Sequence, residues 1–406
     1  MDMNVNLNVP FKEKVPISEL TLRMERFLNE MNKDYPDWEM AVIFSKVNLY
    51  YFTGTMQDGM LVIQRDNEPV FWVRRSFERA CDESLFPSIR PMNSYRDAAE
   101  NVKNFPGTIH IETEVVPFAM LQRFQKYFPF KDISSLDRQI SKVRALKSKY
   151  ELSIMEKAGK LHARLLEELV PGLLHEGMSE AEFAGELYSV MMKEGHHGVA
   201  RFAMFDTDIG LGQIGFGESS IYPCFFNGPG GNYGVCPAVP AIGSRERRLR
   251  KGDLVFVDLG FGVSGYHTDK TMTYVFGGSL TEEVVKIHNK CVEIQERIAE
   301  RLKPGVIPED LYNSIMDSLD NNFLKNFMGF GNRQVRFLGH GIGLHIDEWP
   351  VIARGFTEPL QEGFVFAVEP KKGIENIGMV GTENTFIVTG EGGRCITGNN
   401  PGLIMV

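Results

Sequence analysis

Apolar residues recur at helical spacing over 18–32, where Leu20, Met24, Phe27, Leu28 and Met31 fall on one face. Short apolar runs follow at 40–44 (MAVIF), 60–64 (MLVIQ), 70–73 (VFWV) and 108–112 (TIHIE), each of strand length, with a helical pattern at 76–85 among them. Near 140–146 the pattern changes to one long helical run over 141–172. Ser179 with Glu182 then forms an S-x-x-E capping box, which predicts a helix to about Lys193. Thr281 opens another helix, stopped after Leu302 by Pro304 and Gly305, and a third is predicted over 309–323. Residues 205–250 are rich in Gly and Pro and read as loop. The fold class is therefore mixed α/β (α+β), and 406 residues leave room for two domains of ordinary size.

The last third of the chain breaks the hydrophobic–polar pattern in an informative way. Asp258 ends the apolar run DLVFVDLG, and Asp269 stands in the run YHTDKTMTYVF across a glycine-rich turn. With the turn centred on Val263–Ser264, the two aspartates lie directly opposite on one face, with Cβ atoms about 4.5–5.5 Å apart. Glu369 ends FVFAVEP and Glu383 sits in GTENTFIV, with KKGIENIGM between them as the loop of a second hairpin. His340 lies in GHGIGL. A buried carboxylate is costly unless paired or bound to a cation, so four on apolar strands need a common counter-charge. Two divalent ions about 3.5–4 Å apart supply it. Oxygen-rich ligands with one imidazole suit Mn, Co, Zn or Fe.

Composition narrows the partners. A net charge of −9 and a pI near 5.6 argue against nucleic acid. No apolar run approaches the roughly 18–20 residues of a membrane span. The opening MDMNVNLNVPFKEKVP lacks the basic and apolar regions of a signal peptide. Five cysteines without C-x-x-C spacing read as free thiols, which fits a cytoplasmic protein.

The motifs VDLG…GYHTDKTMT, GHGIGL, EGFVFAVEP and GTENT follow one another as in the pita-bread metallopeptidases, and the chain resembles that family. Its members include methionine aminopeptidase, aminopeptidase P and prolidase, with creatinase as a metal-free relative. NLYYFTGT and RALKSKYELSIMEKA resemble the family's creatinase/prolidase N-terminal domain and linker helix. The resemblance implies a creatinase-like N-terminal domain over 1–145 and a pita-bread catalytic domain over 146–406. It implies two divalent ions on Asp258, Asp269, His340, Glu369 and Glu383, with Glu369 as proton shuttle. It further implies a homodimer acting on a small peptide or other small molecule, by default as an Xaa-Pro dipeptidase or aminopeptidase P-like hydrolase.

Four departures bear on substrate. Prolidases and aminopeptidases P place a second histidine seven residues after the metal histidine, where this chain has Asp347, and commonly another four residues before it, where this chain has Arg336. A loop histidine before the first aspartate is absent from 198–266, and the arginine before the last glutamate is replaced by Gly381. In the family these groups bind substrate and stabilise the tetrahedral intermediate. Their replacement leaves room for a hydrolase of a small non-peptide amide or amidine, for a metal-dependent lyase with Asp347 as base, and for a non-enzymatic binding module. With LHID extended, His345 and Asp347 face the same way about 6.5–7 Å apart, and His345 takes over part of the missing catalytic role. Arg336 is a candidate anchor for a substrate carboxylate or a partner for Asp347 or Glu348. His267, two residues before Asp269, is a candidate substrate neighbour.

Overall fold

The computed structural model describes residues 14–204 and 207–406. Most of the opening stretch considered above as a signal peptide lies outside the described residues. The chain divides into two compact units, Met1–Arg144 and Ala145–Val406.

The first unit is built on a six-stranded sheet in the order Ile89–Pro91, Val70–Val73, Gly59–Gln64, Met40–Ile43, Thr108–Ile111 and Asp132–Ser135. The first helix, Ile17–Asp34, buries Leu20, Met24, Phe27 and Met31 as their spacing requires. Arg23 is buried on the same helix and is paired with Glu19 at 2.7 Å and with the Tyr51 carbonyl at 2.8 Å. Two short outer strands, Ile89–Pro91 and Asp132–Ser135, escape the apolar-run pattern because their side chains are exposed or half-buried. Glu112 accepts the Phe44 and Ser45 N–H groups and the Asn48 amide at the start of helix Lys46–Thr53, where a carboxylate also meets the positive end of the helix dipole.

The second unit carries two hairpins, each with a helix packed behind it. Strands Leu254–Val263 and Tyr266–Val275 form the first hairpin, flanked by Gly212–Phe216 and Ile404–Met405. The run predicted over 141–172 separates into helices Asp137–Ala145 and Lys149–Arg164, a π turn at Leu165–Leu169 and a 3-10 turn at Val170–Gly172, and helix Lys149–Arg164 packs behind the first hairpin. Ser148 and Glu151 form a capping box at the break and restart the helix. Tyr266 then donates its hydroxyl to Glu151 at 2.8 Å, fixing helix to hairpin.

The second hairpin pairs Val365–Val368 with Asn384–Thr389 in a five-stranded sheet that also holds Phe337–Gly341. Helix Glu282–Ala299, capped by Thr281, backs it, with the Gln295 amide donating to the Val368 carbonyl at 2.8 Å. The helix predicted over 309–323 stops at Met316 and resumes as a single turn, Asn321–Leu324, capped by Asp320. No helix among the described residues is long and apolar enough to cross a membrane.

Candidate metal centre

The first hairpin sets the site. Its turn falls on Ser264 and Gly265, with φ of 48° and 92°, and two consecutive positive φ values favour glycine at the second position. Asp258 therefore pairs with Thr271, and Asp269 with Gly260. The register differs from the directly opposed aspartates expected from a turn at 263–264. Moving the turn centre by one residue moves each partner by two, so both carboxylates stay on one face as diagonal neighbours.

The second hairpin is longer than its apolar runs. Val368 pairs with Asn384, and beyond Pro370 the strands resume as Lys371–Ile374 and Gly378–Gly381 in unbroken register, Lys371 opposite Gly381. The stretch KKGIENIGM is thus mostly paired strand, closed by a short turn at Asn376 with φ of 61°. Glu369 and Glu383 occupy opposed positions between the two paired segments. Thr271 ties the hairpins together, its N–H reaching the Glu383 carbonyl at 3.3 Å and its hydroxyl donating to Glu383 Oε2 at 2.8 Å.

His340 comes from strand Phe337–Gly341, paired with Ala367 of the second hairpin. Its Nδ1 lies 3.0 Å from the Gly341 carbonyl; donation there leaves the Nε2 lone pair facing the carboxylates. Ligand atoms of Asp269, His340 and Glu383 lie within 4.8 Å of one another. Asp269 Oδ1 and Glu383 Oε1 are buried without a hydrogen-bond partner, as expected of atoms that serve a cation. Asp258, Asp269, Glu369 and Glu383 are all buried. The five sequence-picked ligand residues therefore converge.

One charged group in the cluster is missed by the sequence reading. Lys371 is fully buried, and its Nζ lies 2.9 Å from Asp258 Oδ2, 3.0 Å from Glu369 Oε2 and 2.6 Å from Glu383 Oε2. The available signal is alternation, since Lys371 stands two residues past Glu369.

The electrostatics report a shortage of positive charge. Burial, opposed by Lys371 and reinforced by Glu383, pushes the Asp258 carboxyl up to about 6. Burial and the neighbouring Glu383 and Asp258 hold Asp269 well above the carboxylate range. Burial disfavours a charge on His340, yet Glu369, Asp269 and Glu383 overcome it and raise the imidazole to about 10. The Lys371 ammonium, penalised by burial, is held well above its usual value by Asp258, Glu369 and Glu383.

The centre opens into a cavity of about 290 Å³ walled by Phe202, Phe226, Phe337, Trp349 and Phe356, with Gln213, Asn227 and Asp347 as polar groups. Asp347 lines this cavity and accepts the Ala203 N–H at 2.6 Å; burial raises its carboxyl. The other non-ligand candidates lie elsewhere. Residues 343–347 form bends, so His345 does not share a strand face with Asp347, and it does not line the cavity. Its N–H donates to Glu348, whose side chain is paired with Lys147 at 3.2 Å. Arg336 is exposed, lies outside the cavity wall and pairs with neither Asp347 nor Glu348. His267 is buried behind the wall, 3.1 Å from the Gly343 carbonyl and 3.2 Å from His197. His196 and His197 accept the Gly262 and Gly265 N–H groups and so brace the hairpin tip.

Residues 153–390, more than half of the chain, match the model of metallopeptidase family M24, and residues 23–146 match the creatinase/prolidase N-terminal domain. The chain belongs to metallopeptidase family M24. It is a metal-dependent peptidase with the two-domain architecture of the prolidase branch. An M24 relative named Xaa-Pro dipeptidase, from Pyrococcus furiosus, is 29% identical over 377 residues, covering 92% of this chain and 97% of the relative. Its namesake from Pyrococcus horikoshii is 27% identical, covering 94% and 98%. The solved structure of the prolidase from Pyrococcus furiosus superposes with a TM-score of 0.72 at 26% identity, over 92% of this chain and 99% of that one. The N-terminal domain of the chickpea FACT subunit SPT16 shares the fold alone, with a TM-score of 0.72 at 13% identity over 96% of this chain and 99% of that one.

Proposed function

We propose that this M24 peptidase is an Xaa-Pro dipeptidase whose centre is built on Asp258, Asp269, His340, Glu369 and Glu383. One observation carries the reading: ligand atoms of Asp269, His340 and Glu383 lie within 4.8 Å of one another on the wall of a cavity of about 290 Å³, and both carboxylates keep a buried oxygen without a partner. Asp269, His340 and Glu383 would hold a divalent cation, which would acidify a water toward neutral pH and polarise a carbonyl oxygen. Mn, Co, Zn and Fe all suit a donor set of carboxylates and one imidazole.

The rest follows from the chain's own groups. Glu369 lines the cavity beside His340, at 3.4 Å from its Nε2, and is assigned proton transfer to the departing nitrogen. Phe202, Phe226 and Trp349 offer apolar faces for a pyrrolidine ring. A cavity near the lower end of the usual range, roughly 300–1,000 Å³, favours a dipeptide over a longer chain. His345, Arg336 and His267 are assigned no contact with the reacting atoms, since none lines the cavity. The five free cysteines support a cytoplasmic setting, and the creatinase-like first domain supports a homodimer.

Asp347 favours a second reading. A carboxylate on the wall suits a base for a small non-peptide amide, an amidine or an eliminating substrate better than it suits an oxyanion donor. Hydrolysis rates for Xaa-Pro dipeptides set against non-proline dipeptides and simple amides separate the two. Turnover confined to proline dipeptides is the expected result, and turnover confined to the amides would overturn the assignment.

A further inference from the structure

Within the carboxylate cluster, Lys371 is a buried charge that the two-ion arrangement does not use. Its position follows from the backbone. Glu369 and Lys371 are two residues apart on one side of the second hairpin, and Lys371 pairs with Gly381, two residues before Glu383. Alternation therefore turns the lysine toward the face that carries the glutamates. An ammonium has three N–H donors and no acceptor. Here three carboxylates receive them, Asp258 at 2.9 Å, Glu369 at 3.0 Å and Glu383 at 2.6 Å, with the Phe256 ring centroid 5.7 Å from Nζ. These separations are hydrogen-bond lengths, wider than the roughly 2.0–2.2 Å of carboxylate–zinc bonds.

The carboxylates divide their oxygens accordingly. Glu383 gives Oε2 to Lys371 and leaves Oε1 without a partner, while Glu369 gives Oε2 to Lys371 and turns Oε1 toward His340 Nε2 at 3.4 Å. Asp269 Oδ1 is likewise buried without a partner, and Asp269 clusters with His340 and Glu383, ligand atoms within 4.8 Å of one another. Gly381 makes room for the arrangement. At its φ of 129° an added Cβ would stand 2.4 Å from the Pro370 carbonyl oxygen and 2.6 Å from Lys371 Cα. A long side chain at 381 is thereby excluded, and the local positive charge comes from the opposite strand.

We propose that Lys371 is a built-in cation that holds one of the two positions of the dinuclear arrangement, so that the chain takes a single divalent ion at Asp269, His340 and Glu383. The proposal rests on the metal-binding part of the function given above and is independent of which bond is cleaved. Lys371 has no exposed surface, so its ammonium is enclosed with the three carboxylates it serves. One ammonium and one dication carry one positive charge fewer than two dications, and the centre is correspondingly more negative.

The test is a count of ions. Apo protein is dialysed against excess Mn(II), and bound metal is measured by elemental analysis alongside the Mn electron paramagnetic resonance spectrum. The expected result for the wild type is about one ion per chain with the spectrum of an isolated ion, and about two coupled ions in Lys371→Met. Lys371→Gln, which keeps a polar end without the charge, replaces the Met variant if that one does not fold. Two ions in the wild type overturn the proposal, and so does one ion in both wild type and variant. If neither variant folds, the wild-type count decides: one ion supports it and two overturn it. Failure of the dipeptidase reading looks different, namely an ion-loaded protein that hydrolyses no proline dipeptide.

Discussion

Asp269 and Glu383 each present a buried oxygen that no group of the protein satisfies, whereas Thr271 serves Glu383 from the other side. These contacts set distinct expectations for three substitutions. Asp269→Asn removes a ligand charge, so the protein should retain no metal by elemental analysis and hydrolyse nothing. Thr271→Val removes only the hydroxyl that orients Glu383; metal affinity should fall by about 10–100-fold, read by competition with a chelator. Asp347→Asn keeps an acceptor for the Ala203 N–H, so the loop stays in place while the ionisable group is lost. With Asp347 acting as the base of the second reading, kcat falls by at least about 10-fold at unchanged metal content; unchanged turnover would make Asp347 purely structural and leave the dipeptidase reading alone. The five residues proposed as ligands are legible in the sequence because carboxylates and an imidazole set on or at the ends of apolar runs are conspicuous. Lys371 is not, because it follows a proline in a polar stretch that reads as loop. Only its spacing from Glu369 hints that it turns inward.

At the scale of elements, the two hairpins were legible as apolar runs, and their faces survived an error of register. The turn residue that decides the register, Gly265, is itself in the sequence, as the glycine at the second position of a turn with positive φ at both central residues. The cavity wall contributed by Phe202, Phe226 and Asn227 was not legible, because that segment has no periodicity to read. Helix Glu282–Ala299 shows how an element behind the site is locked to it. His288 accepts the Gly381 N–H at 3.2 Å and lies 2.8 Å from the Pro401 carbonyl, and burial lowers its pKa to about 4. Between about pH 6.5 and 4 the unfolded chain takes up a proton at this histidine that the folded chain refuses, so its stabilising contribution is complete above pH 6.5 and is lost as the pH falls. His196, lowered to about 4 chiefly by burial, adds to the same trend. In chelator, His288→Gln should lose less melting temperature than the wild type between pH 7 and pH 4. Parallel losses in the two proteins would mean that the His288 contribution is absent.

For the whole molecule, the two-unit α/β architecture was legible in outline, since long periodic segments and isolated apolar runs alternate along the chain. The broken helices after 145 and after 316 were not, because capping at Ser148 and Asp320 interrupts patterns that otherwise look continuous. Metal binding couples the site to global stability, since a cation that binds only the folded chain stabilises it by mass action, about 2.7 kcal/mol at a free concentration 100 times Kd. Chelation should therefore lower the melting temperature and added Mn(II) or Zn(II) should restore it. An unchanged melting curve after confirmed metal loss would mean that the ion contributes nothing to the fold. The decisive measurement is hydrolysis of an Xaa-Pro dipeptide by metal-free protein as a divalent ion is titrated in, with Asp269→Asn as the control. Activity should be absent at the start, rise to saturation with the ion in the wild type and never appear in the variant. A fully metal-loaded wild type that leaves proline dipeptides intact, or hydrolysis that persists in excess chelator, would contradict the assignment of these residues as a metal-dependent dipeptidase centre.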